Sequence, residues 1–332
     1  MIKVQFIRRF VVVACALFIA LPAIADYKQA YAYFKQGQFE KAIQELKPDL
    51  DKNPDWEFGH RLAGLCYLGL KNNALATVEL NRAIQLKSQT FATFYGLAQA
   101  YYYSDKLDNC VQILNQGEQY AKAPEDLYGL HHLRGAVFYR QQKFDQAAAD
   151  LAGAIRIKTD DWSDFAQLGA IYFNQNRYDE AIQTLQKALS LKPGDAAASG
   201  VLAKIYFKQG LAALTAKQYS QALDLFHKAG TLTPNDGYIF YNTGEACLFL
   251  TNYADAEKAY TQALSLLPRN ADVLTRLGLT YERQKKWPQA LDSYQKANEI
   301  SPSPSMKDSI TRVSDQMKKP EEKKKPEEKK KH

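Results

Sequence analysis

The sequence predicts an all-α solenoid of about eight stacked helical hairpins closed by a C-terminal capping helix. Three observations predict it. Pairs of small residues stand twelve positions apart at Ala30/Ala42, Gly64/Ala76, Ala98/Cys110, Gly135/Ala147, Gly169/Ala181, Gly210/Ala222, Gly244/Ala256 and Gly278/Ala290. Their first members recur at intervals of 34, 34, 37, 34, 41, 34 and 34 residues, the period of a stacked repeat array and not of one globular core. Each interval holds two apolar stretches of helical period joined by a polar turn, such as Lys71-Asn72-Asn73 or Asn174-Gln175-Asn176-Arg177.

Residues 1–25 form the first segment. A basic start (Lys3, Arg8, Arg9), an apolar run Phe10–Leu21 and Ala23-Ile24-Ala25 before Asp26 make the tripartite pattern of a cleavable secretory signal peptide. The run is too short to span a bilayer, which takes about twenty residues. The hairpins then follow at about 26–56, 57–90, 91–124, 128–161, 162–195, 196–236, 237–270 and 271–302. Small anchors sit where the two helices of a hairpin approach closely. The aromatic three positions later (Tyr33, Tyr67, Tyr101, Phe138, Tyr172, Tyr281) is expected to fill the space that they leave. A second aromatic set, nine positions after the anchor, opens the second helix and plugs the seam between repeats: Phe39, Phe144, Tyr178, Tyr219, Tyr253 and Trp287. Prolines 54, 193, 234, 268 and 302 end second helices, because proline lacks an N–H and its ring clashes with the preceding turn.

Two insertions break the period. Residues around Lys122–Leu127 lengthen one connection by three, and seven extra residues before Gly210 make Asp195–Lys217 one long helix and a local kink in the superhelix. Residues 303–317 follow as a capping helix, with Met306, Ile310, Val313 and Met317 at helical spacing to cover the last apolar face. The tail 318–332 is a twofold Lys/Glu/Pro repeat with nothing apolar to bury, so it is expected to be disordered.

The repeat resembles a known family. Leu168-Gly169-x-x-Tyr172 with Ala181, Leu185, Ala188 and Pro193, and Leu277-Gly278-x-x-Tyr281 with Ala290, Tyr294, Ala297 and Pro302, are similar to the tetratricopeptide (TPR) repeat. The resemblance spans Asp26 to Pro302 and implies a right-handed superhelix whose first helices line the concave surface. With the export signal, it implies a likeness to periplasmic TPR scaffolds of Gram-negative bacteria.

Charge narrows the partners. The formal net charge is +7, but the leader contributes +3 and the tail +4, leaving residues 26–317 neutral. A neutral body is a poor match for a phosphate backbone, which excludes nucleic acid as the expected partner. Chemistry is equally sparse. There is no nucleophile elbow, phosphate loop, paired-histidine zinc motif or calcium loop, so no enzyme activity, metal or cofactor is expected. His131 and His132 point about 100° apart on a helix and cannot easily share a metal; His131 takes the place of a packing residue. Asp160-Asp161 is a helix cap before Trp162. Beyond Cys15 of the leader the chain keeps Cys66, Cys110 and Cys247, an odd number, so no structural disulfide is expected; Cys110 replaces an anchor alanine and Cys247 a packing tyrosine, and both are expected as buried thiols.

Function is expected on the face that packing leaves over. Positions three before, one after and four after each anchor share one side of the first helix. They carry Tyr27, Tyr31 and Phe34; Arg61, Leu65 and Leu68; Tyr95, Gln99 and Tyr102; His132, Ala136 and Tyr139; then Phe173, Leu211 and Leu214, and Tyr241 with Glu245. A merely solvated face would be Lys, Glu and Gln. Tyrosine gives contact area at low entropic cost and keeps a hydroxyl, hence its enrichment at recognition surfaces. Arg61, His132 and Arg140 are candidate anchors for carboxylates or carbonyls. Lysine and asparagine of the two-carboxylate clamp of chaperone-binding TPR domains are absent, since Arg61/Leu65 and Tyr95/Gln99 hold those sites. The expected role is therefore a non-enzymatic envelope scaffold binding an extended segment or helix of another protein. Two alternatives are a glycan-binding module, favoured by Gln99, Asn174, Asn242 and Glu245 near the rings, and self-association.

Overall fold

The computed structural model describes residues 27–318. The expected leader and all of the expected tail but Lys318 lie outside the described residues. Seventeen α-helices account for nearly all of the described chain, and no strand occurs among the described residues. They pair as α1 (Tyr27–Lys35) with α2 (Phe39–Lys52), α3 (Glu57–Gly69) with α4 (Asn73–Gln85), and α5 (Phe91–Tyr103) with α6 (Leu107–Gly117), which a 3-10 turn at Glu118–Tyr120 follows. Next come α7 (Pro124–Arg140) with α8 (Phe144–Ile157) and α9 (Trp162–Asn174) with α10 (Tyr178–Leu191). The remainder are α11 (Ala196–Thr215) with α12 (Tyr219–Leu232), α13 (Gly237–Phe249) with α14 (Tyr253–Leu266), α15 (Ala271–Arg283) with α16 (Trp287–Ile300), and the single α17 (Pro304–Lys318). Two compact units divide after Pro193, and within each one every second helix packs on the first helix that follows it. The chain is an α-solenoid.

One rule closes all eight hairpins. The residue seven positions after the anchor has positive φ throughout: Gly37, Lys71, Asp105, Gln142, Asn176, Lys217, Thr251 and Lys285, at 58–75°. The next N–H then reaches back to a carbonyl of the first helix, as Asn72 to Tyr67 and Arg177 to Tyr172, both at 2.8 Å. This is a Schellman cap, which satisfies helix-end carbonyls at the cost of a left-handed residue. Only the first repeat uses glycine there. The cost is highest at Thr251, where a β-branched side chain meets φ 59°. Thr251→Gly is expected to raise stability by about 0.5–1 kcal/mol, part of the relieved strain being offset by the freer unfolded chain. A lower thermal midpoint would mean that the threonine side chain contributes contacts exceeding its strain.

The small anchors are filled differently from the sequence expectation. A Cβ on Gly64, Gly135 or Gly169 would meet Leu80, Leu151 or Leu185, and one on Gly210, Gly244 or Gly278 would meet Phe226, Tyr260 or Tyr294. The plug is thus the residue sixteen positions on, from the hairpin's own second helix, and it is fully or almost fully buried. Tyr33, Tyr67, Tyr101, Tyr172 and Tyr281 are only half-buried; Phe138 alone of that set is buried. Three of the set lie under the cation that follows the cap: Lys143 over Phe138 at 5.9 Å, Arg177 over Tyr172 at 4.3 Å and Lys286 over Tyr281 at 5.8 Å. They lean on the turn and leave the gap to the plug.

Both insertions are absorbed by first helices. Whereas α3, α5, α9, α13 and α15 have 13 residues, α7 has 17 and α11 has 20. Extending a helix by whole turns keeps its packing face in register with its partner. The predicted aromatics Phe39, Phe144, Tyr178, Tyr219, Tyr253 and Trp287 each start a second helix. Phe39 presses on Gly69 of the next repeat, and Tyr219 stacks on Phe249 at 4.7 Å. At the C-terminal end, α17 buries Val313 and half-buries Met306 and Ile310 against α16, leaving Met317 exposed.

Candidate partner-binding face

The predicted face forms two aromatic clusters in the first unit. Near its start, Tyr27 meets Phe58 edge-on at 5.2 Å, Tyr31 lies 6.2 Å from Phe34, and Arg61 stacks over Phe58 at 4.9 Å while donating to Glu57 at 3.1 Å. Phe34 is a correction: it is buried in the core of the first hairpins, 6.0 Å from Phe39, and cannot reach a partner. Arg61 is already committed to a carboxylate and a ring of its own helix.

The second cluster joins α5 and α7. Arg140 lies over the Tyr102 ring at 5.0 Å and reaches Asp105 at 2.5 Å, and Tyr103 meets Tyr102 edge-on at 5.6 Å. Here Tyr102 is half-buried while Tyr103 and Arg140 are exposed. Tyr95 is a second correction. It stacks on Phe91 at 5.4 Å within the hydrophobic core, and burial pushes its phenol well above the ordinary value, the Gln99 amide offsetting this in part. Tyr139 and Phe173 stay half-buried, since each packs on the aromatic that opens its own second helix, Phe144 and Tyr178, at 6.1 Å. The face four positions after the anchor therefore does double duty as hairpin packing.

His132 proves to be a bracket between repeats. Its Nδ1 lies 2.6 Å from Oδ1 of Asp164, a fully buried carboxylate on α9, and its ring lies 5.6 Å from that of Tyr128. Tyr128 donates to Asp161 at 2.9 Å, and Asp161 also accepts from Ser163 and Lys158, capping α9 as expected. Burial pushes the Asp161 carboxyl up, but hydrogen bonds from Ser163, Lys158 and Tyr128 outweigh it and hold it at about 2. His131 packs as the sequence predicts, its ring lying over Gly153 of the second helix, and it makes a polar contact as well. It pairs with Asp150 at 2.8 Å, which Arg134 grips through two further contacts of 2.9 Å. Burial raises the Asp150 carboxyl, and the partners His131 and Arg134 overcome that and keep it below the usual range.

In the second unit, Tyr241 packs edge-on against Tyr260 at 5.9 Å. Glu245 is a third correction, because it is buried: the Tyr260 hydroxyl donates to it and the Arg276 guanidinium lies 3.1 Å away. The next repeat repeats the device, with Tyr294 donating to Glu282 at 2.9 Å and Arg312 reaching the same carboxylate at 2.9 Å. Asn242 spends its amide on the Tyr238 carbonyl at 2.8 Å. Three of the four polar groups that would favour a sugar are thus already engaged, Gln99 through its hydrogen bond with Tyr95. Exposed large apolar side chains of this unit are Leu211, Tyr238, Phe249, Leu250, Ile300 and Met317. Tyr103, Tyr238 and Phe249 stand outside the three positions per repeat that helical periodicity singles out, so periodicity alone does not find them.

Among the described residues the cysteines, Cys66, Cys110 and Cys247, are buried thiols. Burial pushes Cys66 and Cys110 up to about 12 and Cys247 to about 11, which keeps them protonated and poorly nucleophilic. Among the described residues, no cluster of three metal-ligating side chains occurs and no helix is long and apolar enough to cross a membrane.

Sequence profiles match four stretches of the chain. Profiles described as tetratricopeptide repeat cover residues 25–47, 124–149 and 241–303, and one described as TPR repeat covers 169–210. The chain belongs to the tetratricopeptide repeat family. Among solved structures, the C-terminal part of a TPR repeat-containing protein from Cytophaga hutchinsonii shares the fold. It is 15% identical, covers 86% of this TPR chain and 99% of its own, and has a TM-score of 0.50. MamA from residue 41 to its end, from Desulfovibrio magneticus RS-1, is 23% identical over 55% of this chain and 99% of that one, with a TM-score of 0.37. The first TPR of Spaghetti (RPAP3), solved bound to an HSP90 peptide, is 20% identical over 35% and 92%, with a TM-score of 0.34. No protein of curated function matches the chain.

Proposed function

We propose that this TPR chain is a non-enzymatic protein–protein interaction scaffold of the cell envelope, which binds an extended segment or helix of a partner protein along its first helices. One observation carries the reading. Tyr102, Tyr103 and Arg140 form a contiguous, partly exposed patch contributed by two successive first helices. Tyrosine and arginine are the residue types that dominate binding energy at interfaces, because each combines large contact area with hydrogen-bonding capacity. Tyr103 and Arg140 are the exposed part of the patch, while Tyr102 is half-buried and also packs on the core of its own hairpin. Export to the envelope is supported by the signal-like pattern of residues 1–25 alone, so a mature protein beginning at Asp26 is expected by intact mass from the periplasmic fraction. A retained leader would overturn that part of the reading.

The binding part is tested with the full chain immobilised against envelope extract, followed by titration of the captured protein. Tyr102→Ala with Tyr103→Ala is expected to weaken that binding by about 2 kcal/mol while helicity stays unchanged. Leu185→Ala serves as the opposite control, costing about 3 kcal/mol of stability by cavity formation and leaving affinity per folded molecule intact. Tyr172, half-buried beneath Arg177, is unsuited to that control. Equal affinity of the double variant and the parent would sink the assignment of this patch.

A further inference from the structure

Positions six before, two before, one after and five after each anchor fall on one stripe of the first helix. It is the stripe that carries Tyr103 and Arg140. Over the four hairpins from α3 to α10 these positions hold a single charged residue, Arg140. In the second unit the stripe changes character. Of its twelve positions on α11, α13 and α15, six are charged: Lys204, Lys208, Arg276 and Arg283 against Glu245 and Asp272. Large apolar side chains stand among them, with Leu211 36%, Phe249 50% and Tyr238 58% exposed.

The three stripes make one surface. Helix α11 packs beside α13, and α13 beside α15; Arg276 crosses from α15 to the buried Glu245 on α13 at 3.1 Å. That pair neutralises itself. The exposed charges of the surface are then Lys204, Lys208 and Arg283 against Asp272 alone, and α11 holds no acid in its 20 residues. Phe249 is braced by the Tyr219 ring, stacked at 4.7 Å, so it can meet a ligand with little further loss of rotamer freedom.

We propose that the first helices of the second unit form a second docking surface, for an acidic partner segment that carries apolar side chains. Its apolar groups rest on Leu211 and Phe249, and its carboxylates meet Lys204, Lys208 and Arg283. The proposal rests on the scaffold reading above and adds the chemistry of a partner, at a site separate from Tyr102, Tyr103 and Arg140. Charge complementarity selects the occupant. A second copy does not fit, because an isologous contact would set these cations against themselves. Residues 318–332 do not fit either, since their eight lysines outnumber their four glutamates.

The test uses the full chain and a fluorescent helical peptide of Glu, Ala, Leu and Phe, beside a matched peptide with Gln for every Glu. Anisotropy titration is expected to show the acidic peptide binding about tenfold tighter at low salt, an advantage that high salt removes. Lys204→Gln with Arg283→Gln is expected to abolish that tenfold difference. Leu211→Ser with Phe249→Ser is expected to weaken both peptides about tenfold, and Tyr102→Ala with Tyr103→Ala to change neither. Equal affinity of the two peptides for the parent would overturn the proposal, as would an acidic peptide indifferent to Lys204→Gln with Arg283→Gln. Binding of phosphatidylglycerol vesicles or polygalacturonate in place of the peptide would overturn it too, by assigning the cations to a lipid or a glycan. Capture of an envelope protein without binding of the acidic peptide would remove this surface and leave the scaffold reading standing.

Discussion

Gly169→Trp is expected to destabilise the protein by about 4 kcal/mol or more, beyond the usual cost of overpacking because backbone and side chain are both in the way. A Cβ alone would stand 2.6 Å from Cγ of Leu185 and 3.4 Å from the Leu185 backbone nitrogen. Leucine can rotate, but the α10 backbone can retreat only by opening the hairpin. The damage is expected to spread. Leu168 and Ile171, beside the anchor, share a core cluster with Ala147 and Leu151 of the preceding repeat, and a repeat is stabilised chiefly by its neighbours. Hydrogen exchange should therefore show lost protection from α7 through α10. Undisturbed protection in α7 and α8 would mean that the hairpins fold independently, contrary to a coupled array.

The hairpins are legible in the sequence because their signals are local. Small residues at a fixed spacing, a polar turn and a closing proline each act within one repeat, and the helices fall where these place them. The helix-starting aromatics are legible for the same reason. The plug is not. That Gly169 is filled by Leu185 and not by Tyr172 depends on the register of one helix against another, which a list of residue types does not contain. A signal is nonetheless present: every one of the glycine anchors is followed sixteen positions later by Leu, Phe or Tyr.

The binding face is the least legible part, for a physical reason. Periodicity finds which side of a helix points away from its own hairpin, but whether that side is open depends on the next repeat. Tyr95 is core because Phe91 and the residues of α6 and α7 enclose it. His132 and Glu245 are internal brackets, each with partners from other helices: Asp164 in one case, Tyr260 and Arg276 in the other. In the last two repeats the plug is tyrosine instead of leucine, and an acid stands on the facing first helix. An aromatic plug carrying a hydroxyl needs an acceptor, so the residue types call for an acid on the facing helix, but the spacing differs, 15 positions for Tyr260 with Glu245 and 12 for Tyr294 with Glu282.

That pairing leads to the second large effect, at Tyr260. The side chain is completely buried, fills the gap over Gly244 and donates its hydroxyl to Glu245. Tyr260→Ala is expected to cost about 4–5 kcal/mol, the upper range for removing a buried aromatic, since the cavity lies between two helix backbones that cannot both collapse into it. Tyr260→Phe keeps the ring and removes only the hydroxyl, and is expected to cost about 2 kcal/mol, the worth of a hydrogen bond to a charged acceptor. Glu245 then relies on Arg276 alone, at 3.1 Å. Adding Arg276→Met to Tyr260→Phe is therefore expected to cost more than the two separate losses combined, because a carboxylate that is buried without any partner carries its whole desolvation penalty. Chemical denaturation of the four variants measures each step. Equal losses for Tyr260→Phe and Tyr260→Ala would place the whole effect in the hydroxyl and leave none for the plug. Strict additivity in the double variant would mean that Glu245 finds another partner, or takes up a proton, once both are gone.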